Sequence, residues 1–144
     1  MSVKDDFTAD EWQTVLQGPP TAALIVITAE HGGSFRETLA LTQSYVEARK
    51  HHGESELLDA IVSTRPALDR THYGTPEELK TAGIEHLRAA AASIKSKAAA
   101  AEFDAYKQFT LDLAQRVAAA HKEHGTSVSP AEQAALDEIS AALA

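Results

Sequence analysis

A short stretch with residue types suited to ligand binding lies between two helical patterns, in TAEHGGSFRE at residues 28–37. Gly32 and Gly33 would let backbone amides approach an anion, and Arg36 would add positive charge at the following helix start. A cation would instead be held by imidazole and carboxylate groups. The candidate ligand-binding residues are therefore Glu30, His31, Gly33, Ser34, Arg36 and Glu37.

The same stretch also has a purely structural interpretation. Gly32 would end one helix, Ser34 would cap the next, and the two glycines would reverse the chain. This interpretation needs fewer assumptions and is favoured. A ligand site would need a distant polar group to converge with His31, and the sequence offers His72 or Tyr73 for that role.

Seven histidines raise the question of a metal site. Three pairs of potential metal ligands, each a histidine with a second ligand three or four residues away, are isolated from one another in the sequence. The pairs are His121 with His124, Glu47 with His51, and Asp69 with His72. A metal needs three or four converging ligands, and no HExxH motif is present. Histidines near helix C-termini are better explained by their interaction with the helix dipole. His86, in mid-helix, is expected to be an ordinary half-buried histidine.

The common catalytic motifs are missing from the sequence. It contains no G-x-S-x-G nucleophile motif, no P-loop and no G-x-G-x-x-G, and it has no cysteine for thiolate chemistry or disulfides. Acidic pairs at helix starts, such as Glu77 and Glu78, are explained by the helix dipole. We therefore expect a non-enzymatic protein without a cofactor, and the metal content of any site stays open.

The charge of the chain restricts its partners. The formal net charge is -8 and the isoelectric point is near 5.3, whereas nucleic acids and anionic membranes attract basic surfaces. The longest dense apolar run, residues 22–29, is far shorter than the roughly 20 residues that span a bilayer. The acidic start does not resemble a signal peptide. We expect a cytoplasmic protein that binds a protein partner or a second copy, with no nucleic acid and no membrane.

The first helix has clear start and stop signals. Thr8 and Glu11 form a capping box, and Phe7 and Trp12 occupy the two positions of a hydrophobic staple. Gly18-Pro19-Pro20 should end this helix, because proline cannot donate the next hydrogen bond. Residues 21–30 are then predicted to form a separate short buried helix. Their β-branched residues leave a strand as the alternative.

Further helix starts recur along the chain. Capping signals lie at Ser34, Ser55, Thr75 and Ser129. The helix after Ser34 is predicted to bury Phe35, Leu39, Thr42 and Val46, with Leu41 and Tyr45 beside them. Helical periodicity continues from residue 76 to 123, which would make one helix of about 70 Å. We therefore expect a turn near residues 97–101.

These elements predict one all-α domain spanning residues 1–144. Amphipathic helices joined by short connections are typical of an antiparallel helical bundle, here of six or seven helices. Alanine-rich helices permit close helix approach, so the surface could dock a second copy or a partner helix. The leading hypothesis is a protein that acts by protein–protein association, with a partner protein or as a homodimer. The alternative hypothesis is a metal- or small-anion-binding module centred on residues 30–37.

Three stretches, FTADEWQTVLQGPP, AALIVITAEHGGSF and SPAEQAALDEISAAL, resemble a group of small uncharacterised bacterial proteins. That resemblance implies a helical bundle. More distantly, the apolar helix, glycine turn and acidic helix start are similar to TerB-like tellurite-resistance domains, which implies acidic metal-binding positions. His31 stands where those domains would place an aspartate before the first glycine, so Glu30 and Glu37 are the acidic candidates that remain.

Overall fold

The computed structural model of the chain describes residues 6–29, 35–51, 53–64, 75–120 and 130–144, and the regular structure within these ranges is helical throughout. The helices are α1 (Ala9–Ala29), α2 (Phe35–Arg49), α3 (Glu56–Val62), α4 (Pro76–Lys97), α5 (Ala100–Ala120) and α6 (Pro130–Ala142). The predicted all-α bundle is thereby confirmed. The sequence also predicts a loop at residues 65–74 and a helix end at residues 121–125, and both segments lie outside the described residues.

The start of α1 follows the predicted capping pattern. The Thr8 amide donates to Glu11 Oε1 across 2.9 Å, and the Glu11 amide donates to Thr8 Oγ1 across 3.1 Å. Phe7 and Trp12 are both buried, with ring centroids 5.7 Å apart. The capping box and the hydrophobic staple are therefore confirmed.

The prediction that Pro19 and Pro20 end the first helix was wrong, because α1 continues through both prolines to Ala29. Pro19 has no amide proton to donate to the Val15 carbonyl, which would normally be its partner. The Tyr106 hydroxyl of α5 donates to that carbonyl instead, across 2.9 Å in the buried core. Burial of the apolar residues 22–27 against the other helices offsets the local cost of the prolines, which is about 3 kcal/mol each.

Close approach of α4 and α5 to α1 depends on glycine. A Cβ on Gly18 would lie 1.9 Å from Tyr106 Oη, so a larger residue there would displace the tyrosine. A Cβ on Gly83 would lie 2.8 Å from the Ile25 side chain. Gly18 lets α5 approach the middle of the central helix α1, and Gly83 lets α4 approach the C-terminal half of α1.

The predicted buried face of α2 is confirmed for Leu41 and Tyr45 but was wrong for the residues beside them. Leu39 and Val46 are 41% and 43% exposed, and Thr42 is exposed as well. The buried face consists of Ala40, Leu41, Ser44 and Tyr45. The small residues Ala40 and Ser44 let α2 pack closely on α5, so the buried face is centred on Leu41 and Tyr45. The side chain of Phe35 lies outside what the structure describes.

The long periodic segment divides as predicted. α4 ends at Lys97, Ala98 and Ala99 connect the helices, and α5 begins at Ala100. Helical spacing in the sequence also predicts apolar stripes on α5 and α6, and their members Leu113, Val117, Leu136 and Ile139 are buried. Thr75 caps α4 by accepting from the Glu78 amide across 3.1 Å.

Candidate functional site

The ligand site predicted at residues 30–37 lies largely outside the described residues. Glu30, His31, Gly33 and Ser34 are not among the described residues, nor are the distant candidates His72 and Tyr73. Arg36 and Glu37 fall in the first turn of α2, and the structure describes their backbone alone. The site is therefore neither assembled nor disproved, and it stays a prediction.

The described histidines act as surface or packing residues. His51 Nδ1 lies 3.8 Å from Glu54 Oε1, while Glu47 pairs with Lys50 rather than with His51. His86 is half-buried, as expected, and its Nε2 lies 2.9 Å from the Thr14 carbonyl oxygen, so the proton on that nitrogen points to α1. Within the described ranges, no group of three or more His, Asp or Glu side chains is arranged to hold a metal ion.

A groove bounded by α2, α3 and α5 is the feature best suited to binding. Its cavity volume is about 320 Å³, within the range of about 300–1,000 Å³ that is typical of ligand pockets. The floor consists of Ala48, Leu58, Ala105, Phe109 and Leu113, which are buried or half-buried. The rim consists of Glu47, His51, Glu54, Gln108, Asp112 and Arg116, which are exposed. We call this feature the α2–α3–α5 groove.

The wall of the groove formed by α3 is held in place by a carboxylate from α5. One oxygen of Glu102 accepts from Ser55 Oγ across 2.7 Å and from the Leu57 amide across 2.9 Å. Ser55 Oγ in turn accepts from the Leu58 amide, which completes the predicted cap of α3. A negative charge at a helix N-terminus is favourable, so Glu102 stabilises the short helix and fixes its position against α5.

Two further contacts join α3 to the end of α2. Arg49 Nε donates to the Val62 carbonyl oxygen across 2.6 Å, and the Gly53 amide donates to an Asp59 carboxylate oxygen across 2.8 Å. Gly53 has a φ of +101°, a backbone conformation that favours glycine. Gly53 therefore turns the chain after α2, so that α2 and α3 form two walls of one groove.

Two aromatic residues pack against each other beneath the groove and support its floor. Tyr45 and Phe109 pack edge to face with ring centroids 5.4 Å apart, and the Tyr45 side chain is buried. Burial raises the pKa of the Tyr45 hydroxyl above its usual range, so the phenol stays neutral at physiological pH. The groove thus combines a rigid apolar floor with a charged rim. This arrangement can hold an apolar side chain while pairing charges at its edges.

Sequence reasoning did not predict this groove. The rim residues Glu47 and His51 were considered as a metal pair, whereas no prediction was made for Gln108, Asp112 or Arg116. One available signal was the i, i+4 spacing of Gln108, Asp112 and Arg116, which places three polar groups along one edge of α5. The position of α3 against that edge depends on Glu102, which is distant from Ser55 in sequence and gave no local signal.

No family model, no curated protein and no solved structure matches this chain. The resemblance of the three quoted stretches to a group of small bacterial proteins therefore stays a prediction, as does the more distant similarity to TerB-like domains. Of the helices in the described ranges, none has the length and apolar character needed to cross a bilayer.

Proposed function

We propose that this protein is a non-enzymatic, cytoplasmic helical bundle that works by binding a segment of another protein in the α2–α3–α5 groove. The single observation that carries this proposal is the groove of about 320 Å³, with an apolar floor beside an exposed polar rim. Protein interfaces have the same plan, in which a central apolar contact is surrounded by polar groups. A cysteine-free sequence suits the cytoplasm, because its fold needs no disulfide.

Filling the groove tests the proposal. In Ala105→Phe, a ring would occupy the floor, whereas Ala119→Phe adds the same ring at an exposed position of α5 that does not line the groove. A photo-crosslinking amino acid at Gln108 should join the protein to one defined segment of one partner, identified by mass spectrometry. The purified segment should then bind the protein in a 1:1 complex. Ala105→Phe should abolish that binding, and Ala119→Phe should preserve it.

The proposal fails if crosslinks at Gln108 are no more selective than crosslinks at Glu85, an exposed residue of α4 outside the groove. It also fails if the identified segment binds Ala105→Phe as well as it binds the unchanged protein. Circular dichroism of each variant shows whether the helical fold is retained, so that loss of binding is not confused with loss of structure.

A homodimer is a second candidate, and the outer face of α2 favours it. Leu39 and Val46 are large apolar residues that lie seven positions apart and are both more than two-fifths exposed. Two copies of α2 packed side by side would cover these residues. Sedimentation equilibrium should then show a dimer that Leu39→Asp with Val46→Asp converts to monomer. A protein that is monomeric at high micromolar concentration contradicts this second candidate.

A further inference from the structure

The α2–α3–α5 groove carries an excess of negative charge. The carboxylates that line it belong to Glu47, Glu54, Asp59 and Asp112, and the guanidinium among its lining residues belongs to Arg116. The chain as a whole has a formal net charge of -8, so the surrounding field has the same sign. Oppositely charged segments are drawn to such a surface, and segments of like charge are repelled.

The carboxylates at the groove differ in what they already bind. Glu102, in the first turn of α5, already accepts hydrogen bonds from Ser55 Oγ and the Leu57 amide at the N-terminus of α3. Glu47 instead pairs with Lys50 across 3.2 Å, and their side chains are 50% and 65% exposed. Asp112 accepts from the neutral amide of Gln108 across 2.8 Å. Exposed pairs and neutral donors are readily exchanged, so Glu47 and Asp112 are positioned to accept charge-assisted hydrogen bonds from an arriving cation.

The dimensions of the groove suit a chain segment. Ala105 and Arg116 both line it, and eleven residues of helix separate them by about 16 Å. This length matches about three turns of helix or about five extended residues. The floor beneath it is apolar, and the stems of lysine and arginine pack well on apolar surfaces while their charged ends reach polar groups.

We infer that the α2–α3–α5 groove binds a positively charged segment of a different protein, which places an apolar side chain on the floor and its Lys or Arg groups against Glu47 and Asp112. This inference rests on the function proposed above. A second copy of this chain is a poor occupant of the groove, because a chain with 21 acidic residues against 13 basic ones brings mostly carboxylates to a rim that already carries them.

Three labelled peptide probes of equal length separate the contributions of charge and apolar contact. The first is an amphipathic peptide of leucine and lysine, the second replaces each lysine with glutamate, and the third replaces each leucine with serine. Fluorescence anisotropy with the full chain at physiological salt should give binding for the first peptide. The second and third should bind at least about tenfold more weakly, because each lacks one of the two complementary features.

Charge reversal locates the binding. Glu47→Lys with Asp112→Lys should weaken the leucine–lysine peptide about tenfold, and Ala105→Phe should weaken it by at least as much. The matched control Glu85→Lys with Glu138→Lys makes the same charge change on α4 and α6, which do not line the groove. The control should change the affinity less than about threefold, as expected for a distant, screened charge.

The possible outcomes distinguish this inference from the proposed function. Equal weakening by the control pair would overturn the inference, because it would show attraction to the net charge rather than to the groove. Tight binding of the leucine–glutamate peptide that is lost in Ala105→Phe would also overturn the inference, yet it would leave the groove as a protein-binding site. If none of the peptides binds, the inference fails, and the crosslinking at Gln108 then decides separately whether the proposed function survives.

Discussion

The hydroxyl of Tyr106 donates a hydrogen bond to the carbonyl of Val15 across 2.9 Å, at a point where α1 contains a proline that cannot make this bond. Val15 and Tyr106 are both fully buried. A buried carbonyl without a donor costs about 1–3 kcal/mol, so α5 supplies what Pro19 removes from α1. The continuity of the central helix thus depends on a residue 91 positions away in the sequence.

Removing this hydroxyl should destabilise the protein with little change in packing volume. Tyr106→Phe is expected to lower the free energy of unfolding by about 1–3 kcal/mol, because the Val15 carbonyl loses its buried donor. Urea denaturation followed by circular dichroism measures the change. Gly18→Ala supplies a test of the geometry, since its Cβ would lie 1.9 Å from Tyr106 Oη.

In a double-mutant cycle, the cost of Gly18→Ala should be smaller by at least about 1 kcal/mol in the Tyr106→Phe background than in the unchanged protein. Additive effects of the two substitutions would contradict the close contact between Gly18 and the tyrosine hydroxyl.

Stability should fall in alkaline solution because of two buried tyrosines. Burial raises the pKa of the Tyr106 and Tyr45 hydroxyls in the folded protein, whereas tyrosines in the unfolded chain titrate near about pH 10. The folded state therefore holds more protons above that pH. The stabilisation is fully present below the unfolded pKa and is lost as pH rises towards the folded pKa, by up to about 1.4 kcal/mol per pH unit for each group.

Urea midpoints measured between pH 8 and 11 should show this loss, and Tyr106→Phe should reduce its slope. An unchanged slope in Tyr106→Phe with Tyr45→Phe would show that other groups cause the alkaline instability.

The Glu102 carboxylate should stabilise α3 more than it stabilises its own helix, α5. Glu102→Gln removes the negative charge that accepts from Ser55 Oγ and the Leu57 amide, so we expect a loss of about 1–3 kcal/mol in stability. Asp104→Asn, at an exposed position of the same helix, is the matched control and should change stability by less than about 0.5 kcal/mol. Hydrogen exchange should accelerate at the α3 amides in Glu102→Gln. Faster exchange confined to α5 would contradict the assigned role.

An ion pair between the C-terminus of α4 and the first turn of α1 should make the stability of the protein sensitive to acid. Lys97 pairs with Glu11, and this contact is the main cause that lowers the pKa of the Glu11 carboxyl, followed by its hydrogen bond with Thr8. Because the folded pKa is depressed, the stabilisation is present above the unfolded pKa and is lost as pH falls through the folded value. Lys97→Gln should raise the Glu11 pKa, as measured by NMR titration of its side chain. A Glu11 pKa that does not move would exclude this pair as the main cause.

Local signals in the sequence and a limit on helix length were sufficient to predict most of the helix starts and the division between α4 and α5. The caps at Thr8, Ser55 and Thr75 involve groups three residues apart, so residue types alone identify them. The turn between α4 and α5 followed from a length argument, since one helix would have been too long for a domain of this size. These features were predictable because each depends on nearby residues or on overall dimensions.

The errors concern contacts between distant segments. A proline pair is a strong local stop signal, and nothing near Pro19 indicates that Tyr106 will supply a donor. Leu39 and Val46 of α2 were predicted to be buried, but the face of α2 that packs on α5 contains Ala40 and Ser44 in their place. The groove could not be predicted for the same reason, because its three walls come together through contacts between distant segments, such as those of Glu102 with α3.

The connection between α4 and α5 is the point at which two copies of the chain could exchange helices by domain swapping. Ala98 is extended, with φ −119° and ψ 162°, although alanine is the strongest helix former and no glycine or proline interrupts residues 84–124. The bend is thus maintained by packing rather than by local preference. Straightening at Ala98 and Ala99 would join α4 and α5 into a rod of about 67 Å, whose halves could complete two bundles at once. The alanine bend is therefore the hinge at which domain swapping would begin in this fold.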